Sequence, residues 1–586
     1  MLLNTFFRIS FTSMMMFSVL SSTAQISKQI TINQVGYYTN APKSALVLNA
    51  PDANKFYVLT ATKKDTVFKG SLEDVVHSDF STTITRKANF SEIKKPGNYL
   101  LYVPGVGLSA IFKINKNIYN DLGKASIKAY YFQRASMPLQ KQFAGTWARN
   151  EGHPDSVVFI HTSATSSVRA ANTFISSPGG WYDAGDYNKY IVNSGITMGT
   201  MLSGYEDFET YFKKINTNIP ESGNGVPDVL NELLYNLRWM FTMQDTDGGV
   251  YHKCTNANFD AMIMPEAAIA KRFVVQKGTA ASLDFAAVMA QASRIYKQFP
   301  KQLPGLADSC ITAAKLAWDW AIKNPKIVYE QNEMNKHFLP AIVTGDYGDK
   351  IFEDEFFWAA CELLATTKNL NYLPVIKNAP IATMSLPSWA NVNLLGCYTL
   401  TRFKKQLPLA AANSVADAEK TINDRSDKLL LNGGNKAFGS IFGQSKNDFV
   451  WGSNSVAMNE SILLINNYLI TKNKKYLTAA LTNMDYILGK NATGYCFVTG
   501  FGTKPAMHPH HRPSVADGIT DPIPGLLVGG PNPGMQDKCI YVNKETETAY
   551  TDDDCAYACN EIAINWNAPF VYVSNALEAL QLKLNK

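Results

Sequence analysis

Three carboxylates and a histidine-rich loop carry most of the chemistry this sequence could perform. The segment Gly179-Gly180-Trp181-Tyr182-Asp183-Ala184-Gly185-Asp186-Tyr187 places two acids three residues apart, in a glycine-rich turn that can hold both on one side. Acids that close raise one another's affinity for protons, or share a water or a cation. On its own the segment reads equally as a turn with solvated acids or as a calcium loop. A second group, Asp552-Asp553-Asp554, is explained as the cap of a helix start, where negative charge meets the positive end of the dipole. That does not explain Glu561, which runs into the apolar Ile562, Ala563, Ile564 and Trp566. The pattern predicts helix over 558–583, with Tyr557 and Glu561 sharing a face at i, i+4. A carboxyl on an apolar face is either paired or has a raised pKa, the condition a general acid needs near neutral pH.

The third group is Thr499-Gly500-Phe501-Gly502, leading to Pro509-His510-His511-Arg512-Pro513-Ser514. Adjacent histidines normally point apart, so a metal ion shared by His510 and His511 is disfavoured. A polar wall that contacts hydroxyls is the better reading, with a structural His-Arg cluster as its alternative. Hydrolysis of a glycosidic bond needs two carboxyl groups in opposite protonation states on either side of the bond. A paired-Asp turn, a separate Glu in apolar surroundings, 28 Tyr and 9 Trp together suggest that chemistry.

Two architectures must position these residues. From 29 to 114 short β-type runs alternate with turn signals, at Ser44–Leu48, Lys55–Thr60, 81–85 and 98–103, with Pro96-Gly97 and Pro104-Gly105 as punctuation. They predict a small β-sandwich. After Tyr119 the pattern turns helical. Pro227 sits where a first helical position would be, followed by Val229, Leu233, Leu237 and Met240. Similar stretches occupy 281–297, 311–322, 354–366, 454–470, 475–489 and 558–583. Roughly 470 residues of helix–loop units without alternating strands predict a large all-α domain, and no internal repeat of fixed period points to a solenoid. The expected division is a signal peptide at 1–24, a β-sandwich at 25–116 and a helical domain at 117–586. Long Gly- and Pro-rich connections, the longest at about 490–550, are where function is expected.

Composition narrows the class. The 586 residues carry 55 Lys+Arg against 49 Asp+Glu, a net +6 with no clustered basic run, so a nucleic-acid partner is disfavoured. Arg8, the apolar stretch 9–20 and Ser22-Thr23-Ala24 read as an export signal too short for a membrane span. The reading is a soluble exported monomer (periplasmic, surface-held or released). Eight cysteines, at 254, 310, 361, 397, 496, 539, 555 and 559, are too few for a disulfide scaffold. Cys555 and Cys559 read as structural thiols or as a local disulfide with Cys539, rather than as a metal pair.

Several motifs occur together in order: Asp-Ala-Gly-Asp at 183–186, Pro509-His510-His511-Arg512, and a closing pattern from Tyr550 to Ala568. Gly249-Val250-Tyr251-His252-Lys253, Trp451-Gly452-Ser453-Asn454, Leu527-Val528-Gly529-Gly530-Pro531-Asn532 and, near the start, Asn33-Gln34-Val35-Gly36-Tyr37 accompany them. Over nearly the whole mature chain the sequence resembles glycoside hydrolase family 9, the inverting cellulases, in the subgroup with an N-terminal immunoglobulin-like domain. The resemblance implies a mainly α protein, an (α/α)6 barrel behind a small immunoglobulin-like β-sandwich, cleaving β-1,4-linked glucan in an open cleft. It implies Asp186 as general base, Asp183 helping to hold the attacking water, and Glu561 as general acid. His510, His511 and Arg512 would contact sugar, Asp552 would orient the site and Tyr557 would line the cleft. Of Trp239, Trp358, Trp389 and Trp451, one or two are expected to face it.

Departures bear on metals. Relatives often carry a structural zinc held by Cys and His, but here the region reads Arg134-Ala135-Ser136 and Tyr182 precedes Asp183, so zinc is not expected. Cys496 replaces the small or β-branched residue that usually opens the histidine signature. No cofactor is required; calcium at Asp354 and Glu355 is left open beside an ordinary acidic helix start. The alternatives are an exo-acting hydrolase of β-glucan or glucosamine oligomers, a non-catalytic glycan binder, and a zinc enzyme using His510 and His511.

Overall fold

The computed structural model describes residues 26–584; the export signal expected at 1–24 lies outside them. The N-terminal strands are β1 (Ile30–Thr31), β2 (Tyr37–Tyr38), β3 (Ser44–Leu48), β4 (Lys55–Thr60), β5 (Thr66–Ser71), β6 (Val76–His77), β7 (Ile84–Asn89), β8 (Gly97–Val103), β9 (Gly107–Leu108) and β10 (Phe112–Asn115). They form two sheets, ordered β1-β3-β7-β6 and β2-β10-β8-β4-β5. Alternation does the sorting: in β4 Phe56 and Val58 are buried while Lys55 faces water. Phe56, Val58, Phe90, Leu101 and Phe112 fill the space between the sheets.

The rest of the chain is a double ring of helices. Along the chain run α1 (Asn120–Phe132), α2 (Ile191–Asp207), α3 (Asp228–Thr242), α4 (Thr279–Tyr296), α5 (Leu306–Lys323), α6 (Glu353–Thr367), α7 (Leu373–Asn378), α8 (Asn393–Arg402), α9 (Ala412–Asn432), α10 (Ser453–Thr471), α11 (Lys474–Ile487) and α12 (Ile564–Ala579). The inner ring is α2, α4, α6, α8, α10 and α12; each packs on an outer helix next to it in sequence. This is the (α/α)6 barrel. Inner helices are buried almost all round, with 15 of 17 residues buried in α2 and 14 of 16 in α12. They therefore have no polar face, and α2, α4 and α6 approach closely. A side chain at Gly199 on α2 would run into the ring of Trp358 on α6.

Three features differ from the sequence expectations. The predicted helix 558–583 is broken: a short turn at Tyr557–Asn560 is followed by extended backbone at Glu561, φ −71° and ψ 155°, before α12 begins. Tyr557 and Glu561 thus do not share a helical face. The break arises because 561 and 562 are claimed by bridges to His510 and Val528. Pro227 precedes its helix by one residue rather than opening it. The helical domain also contains a five-stranded sheet, ordered β12-β11-β15-β14-β13, from β11 (Val158–Ile160), β12 (Phe174–Ile175), β13 (Lys189–Tyr190), β14 (Lys253–Asn256) and β15 (Arg272–Val274). Its strands are two to four residues long, too short to show a period.

The two domains are joined through the motif at 33–37. The Asn33 side-chain amide donates to the Tyr119 hydroxyl and to Asp485, each at 2.8 Å, and the Tyr38 hydroxyl donates to Glu578 at 2.8 Å. Among the described residues no helix is long and apolar enough to cross a membrane.

Candidate active site

Three chain segments are tied together at one end of the barrel. The Asp183–Asp186 turn leads into β13 and α2. The backbone N–H of Ile564, at the start of α12, donates to the Asp183 carbonyl at 2.8 Å. The Arg512 backbone N–H and guanidinium both donate to the Gly185 carbonyl, at 3.2 and 2.7 Å. The His510 N–H donates to the Asn560 carbonyl at 2.9 Å, next to Glu561. Gly185 has no room for a side chain, since the His510 carbonyl and ring occupy that space.

This weave puts Asp183, Asp186 and Glu561 on the lining of one cleft of about 820 Å³. Asp186 Oδ2 accepts from the Asn188 amide at 2.5 Å and the Tyr190 hydroxyl at 3.1 Å. Asp183 accepts from the Asn193 amide and from the Tyr347 hydroxyl, the latter at 2.8 Å. Burial and the adjacent Asp186 push the Asp183 carboxyl up to about 8. Glu561 Oε1 accepts from the Gly185 N–H at 3.3 Å. Burial and the nearby Asp186 and Asp183 carboxylates hold Glu561 well above the ordinary carboxylate range, the direction a proton donor needs. The cleft thus has a candidate proton donor and, in the turn whose Gly185 N–H it accepts from, a carboxyl pair whose members compete for protons.

The histidine loop divides. His510 lines the cleft. Its Nδ1 lies 2.6 Å from the Asp554 carbonyl, which can only accept, so Nδ1 carries the hydrogen; burial lowers the pKa and leaves Nε2 a lone pair. His511 is buried between Gln133 and Ser514, at 2.8 and 2.9 Å, and burial pushes its pKa down to about 3. It faces away from the cleft, which corrects its placement among sugar contacts: consecutive side chains on extended backbone point to opposite sides. The same divergence leaves the two histidines no common metal position. Arg512 lines the cleft, but its fork is occupied by the carbonyls of Gly185 and Asp260, so it also braces the turn. Asp552 is outside the lining; it accepts from the N–H groups of Met507 and His508 and from Asn560, holding the loop before His510.

Aromatic faces supply the walls. Trp389 and Trp451 line the cleft, whereas Trp239 and Trp358 are fully buried in the core. Trp451 is 42% exposed and lies 5.3 Å from the Tyr557 ring, which is 5.7 Å from His510. Phe259, also exposed, and Tyr347 line it too. Sequence reasoning did not reach Asn188, Tyr190, Asn193, Tyr347 or Phe259. The first three follow the Asp pair directly, at the spacing of a strand running into a helix. Gly345-Asp346-Tyr347-Gly348-Asp349 is a glycine-flanked loop whose composition alone could have marked it.

Two metal positions were tested against the residues present. At the zinc position the Tyr182 hydroxyl is 2.9 Å from His153 Nδ1, Ala135 offers no donor, and Arg134 is bound to Glu221 and Glu232. One imidazole, a phenol and no thiol do not fit zinc. The acids Asp284, Asp349, Asp354 and Glu355 are buried, and each has at least one oxygen without a partner. Burial and mutual repulsion raise Asp284, Asp349 and Glu355. Hard oxygen donors with unmet demand fit calcium. No three of them bring one oxygen each within 4.8 Å of one another. Cys539 and Cys555 form a disulfide, and Cys559 is a free buried thiol.

Comparison with known proteins identifies the family. The family model described as "Glycosyl hydrolase family 9" matches residues 119–574, and that described as "Cellulase N-terminal ig-like domain" matches 25–108. A Bacteroides ovatus protein named "Xyloglucan-specific endo-beta-1,4-glucanase" is 44% identical over 555 residues, covering 94% of each chain. "Endoglucanase D" of Acetivibrio thermocellus is 32% identical over 557 residues, covering 94% of this chain and 83% of the relative. The solved structure titled "Bacteroides ovatus GH9" superposes with a TM-score of 0.90 at 43% identity, covering 94% of this chain and 99% of the other.

Proposed function

Because the chain belongs to glycosyl hydrolase family 9, we propose that it is an exported endo-β-1,4-glucanase that cleaves xyloglucan or a similar β-glucan with inversion. The observation that carries this reading is that Glu561, its proton affinity raised by burial, and Asp186, held by Asn188 and Tyr190, line one open aromatic cleft. Glu561 protonates the leaving oxygen, and Asp186 takes the proton of a water attacking from the opposite face. Asp183 helps hold that water, and Tyr347 and Asn193 fix Asp183. His510 offers its Nε2 lone pair to a sugar hydroxyl. Trp389, Trp451 and Tyr557 present flat faces to the sugar rings.

The choice of xyloglucan rests on the printed name of the 44%-identical relative. A cleft lined with 25 residues and open to solvent leaves room for a branched chain. Calcium bound among the buried acids Asp284, Asp349, Asp354 and Glu355, whose oxygens lack partners, would neutralise buried charge near the loop that carries Tyr347; it takes no part in bond cleavage.

The test is a product profile on tamarind xyloglucan, mixed-linkage β-glucan and carboxymethylcellulose, with proton NMR of the first products. Fast viscosity loss and α-anomeric product at early times are expected. β-Anomeric product would refute inversion, and slow viscosity loss with steady release of short ends would move the assignment to an exo-acting enzyme.

A further inference from the structure

The immunoglobulin-like domain has no residue in the cleft, yet its loop between β6 and β7 lies against two segments tied to the Trp451–Tyr557 pair that lines it. The Ser78 hydroxyl donates to Glu547 at 2.6 Å, and Ser81 donates to the same oxygen. The other Glu547 oxygen accepts from the Asn435 amide at 2.7 Å. The Thr82 N–H donates to Glu545 at 2.9 Å. Glu547 is 2% exposed, so these contacts satisfy a carboxyl that burial has already pushed up. Beside them the Phe80 ring lies 5.5 Å from Phe449, which is 5.0 Å from Phe442 in the barrel.

One contacted segment runs directly into the cleft, and the other is tied to it through the residues around Tyr557. Phe449 is two residues before Trp451, and Val450, Trp451 and Gly452 all line it. Glu545 and Glu547 belong to the connection that starts near Gln536, whose carbonyl accepts from the Tyr557 hydroxyl at 3.1 Å, and Asp537 accepts from the Ala558 N–H at 2.8 Å. The Cys539–Cys555 disulfide ties that connection to the residues just before Tyr557. One loop of the β-sandwich therefore backs both members of the Trp451–Tyr557 pair.

We propose that the 78–83 loop of the immunoglobulin-like domain, through Phe80, Ser78 and Ser81, positions the Trp451–Tyr557 face and so helps the cleft to grip its glucan. These are positioning residues: they act on the sugar only through the barrel segments they brace. The proposal rests on the glucan reading given above and deepens it, since it makes the accessory domain part of substrate binding as well as of stability.

The experiment uses the full chain carrying Glu561→Gln, so that binding is measured with turnover suppressed, with cellohexaose and a xyloglucan oligosaccharide as probes in calorimetry. Phe80→Ala and Ser78→Ala/Ser81→Ala should weaken both probes about three- to tenfold, the size of coupling between neighbouring contacts. Phe80→Leu, which keeps an apolar contact with Phe449, should recover most of the loss. In chains that keep Glu561, Phe80→Ala should raise KM and leave kcat within about twofold, as loss of uniform binding does. The control is Val58→Ala, which thins the β-sandwich core away from the barrel. It should lower Tm and leave affinity unchanged. Unchanged affinity in Phe80→Ala, or an equal loss in Val58→Ala, overturns the proposal. Failure of the Glu561→Gln chain itself to bind either probe overturns the glucan reading and the proposal with it.

Discussion

Replacing Glu561 with glutamine tests the arrangement on which the chemistry depends. The side chain keeps its shape, and its new amide oxygen can still accept from the Gly185 N–H, now a 3.3 Å contact. What disappears is the proton that burial and the neighbouring Asp186 and Asp183 hold on the carboxyl. A positioned general acid contributes about 10²–10⁴-fold, or roughly 3–5 kcal/mol of barrier at 1.36 kcal/mol per decade. Turnover of xyloglucan should fall by that factor, while KM stays within about twofold because no sugar contact is removed. An activated aryl β-glucoside oligomer, whose leaving group needs little protonation, should lose less than about tenfold. The sign of the pH dependence follows from the raised pKa. The parent's acid stays competent above the usual carboxylate range, and its rate falls as pH rises through the elevated value. The glutamine variant, having no proton to lose there, should show a flatter alkaline limb. Initial rates on both substrates across pH decide the matter. Equal losses on the two substrates would refute the assignment of Glu561 as proton donor.

The other predictions need fewer steps. Asp186→Asn should reduce turnover on both substrates alike, since each needs an activated water; a near-normal variant would move the base role to Asp183. Trp451→Ala should raise KM about 5- to 30-fold, as loss of about 1–2 kcal/mol of aromatic contact does, with little change in Tm. Trp358→Ala, in the core, should cost about 3–5 kcal/mol of stability instead, and differential scanning calorimetry beside kinetics separates the two. Asp284 and Glu355 have folded pKa values above their unfolded ones, so the stability they give is present below the unfolded carboxyl range and lost as pH rises through the folded values. Calcium bound among these acids would offset that loss. A chelator should therefore lower Tm by several degrees at mildly alkaline pH and hardly at all in acid, with recovery on adding calcium; a Tm indifferent to chelator at alkaline pH would count against the site.

How much could be read in advance depended on whether the signal was local. The β-sandwich was legible because short β-prone apolar runs such as β3 and β8, and the alternating β4, are bounded by turn residues. Outer helices such as α3 and α5 were legible because one face is wet. Four inner helices, α4, α6, α10 and α12, were also expected, but α2 was not: with 15 of 17 residues buried it carries no 3.6-residue polarity. The strands β11 to β15 escaped because each is fixed by partners far off in sequence, as Lys253–Asn256 is by Arg272–Val274 and Lys189–Tyr190. At the site, Asp183, Asp186 and Glu561 stood out by residue type against their surroundings. His511 was misplaced because type alone does not say which of two neighbouring side chains a backbone turns inward.

The error at Glu561 has a physical lesson. The sequence pattern extended a helix through 561, which would have placed the carboxyl by its angle around an axis. The structure instead sets it on extended backbone, where its carbonyl accepts from Gly529 and its neighbour Asn560 is fixed by the Tyr550 hydroxyl at 2.6 Å. A proton donor must be held at a fixed distance from the water-activating turn, and a helix end frays. Here 560–564 is gripped from both sides: His510 donates to the Asn560 carbonyl and Ile564 donates to the Asp183 carbonyl. The acid and the Asp turn thus share one hydrogen-bonded frame, two backbone links apart, and a shift of either moves the other with it. Helical propensity gives way at 561–563 because the frame satisfies the same backbone groups a helix would, and additionally fixes the acid relative to the base.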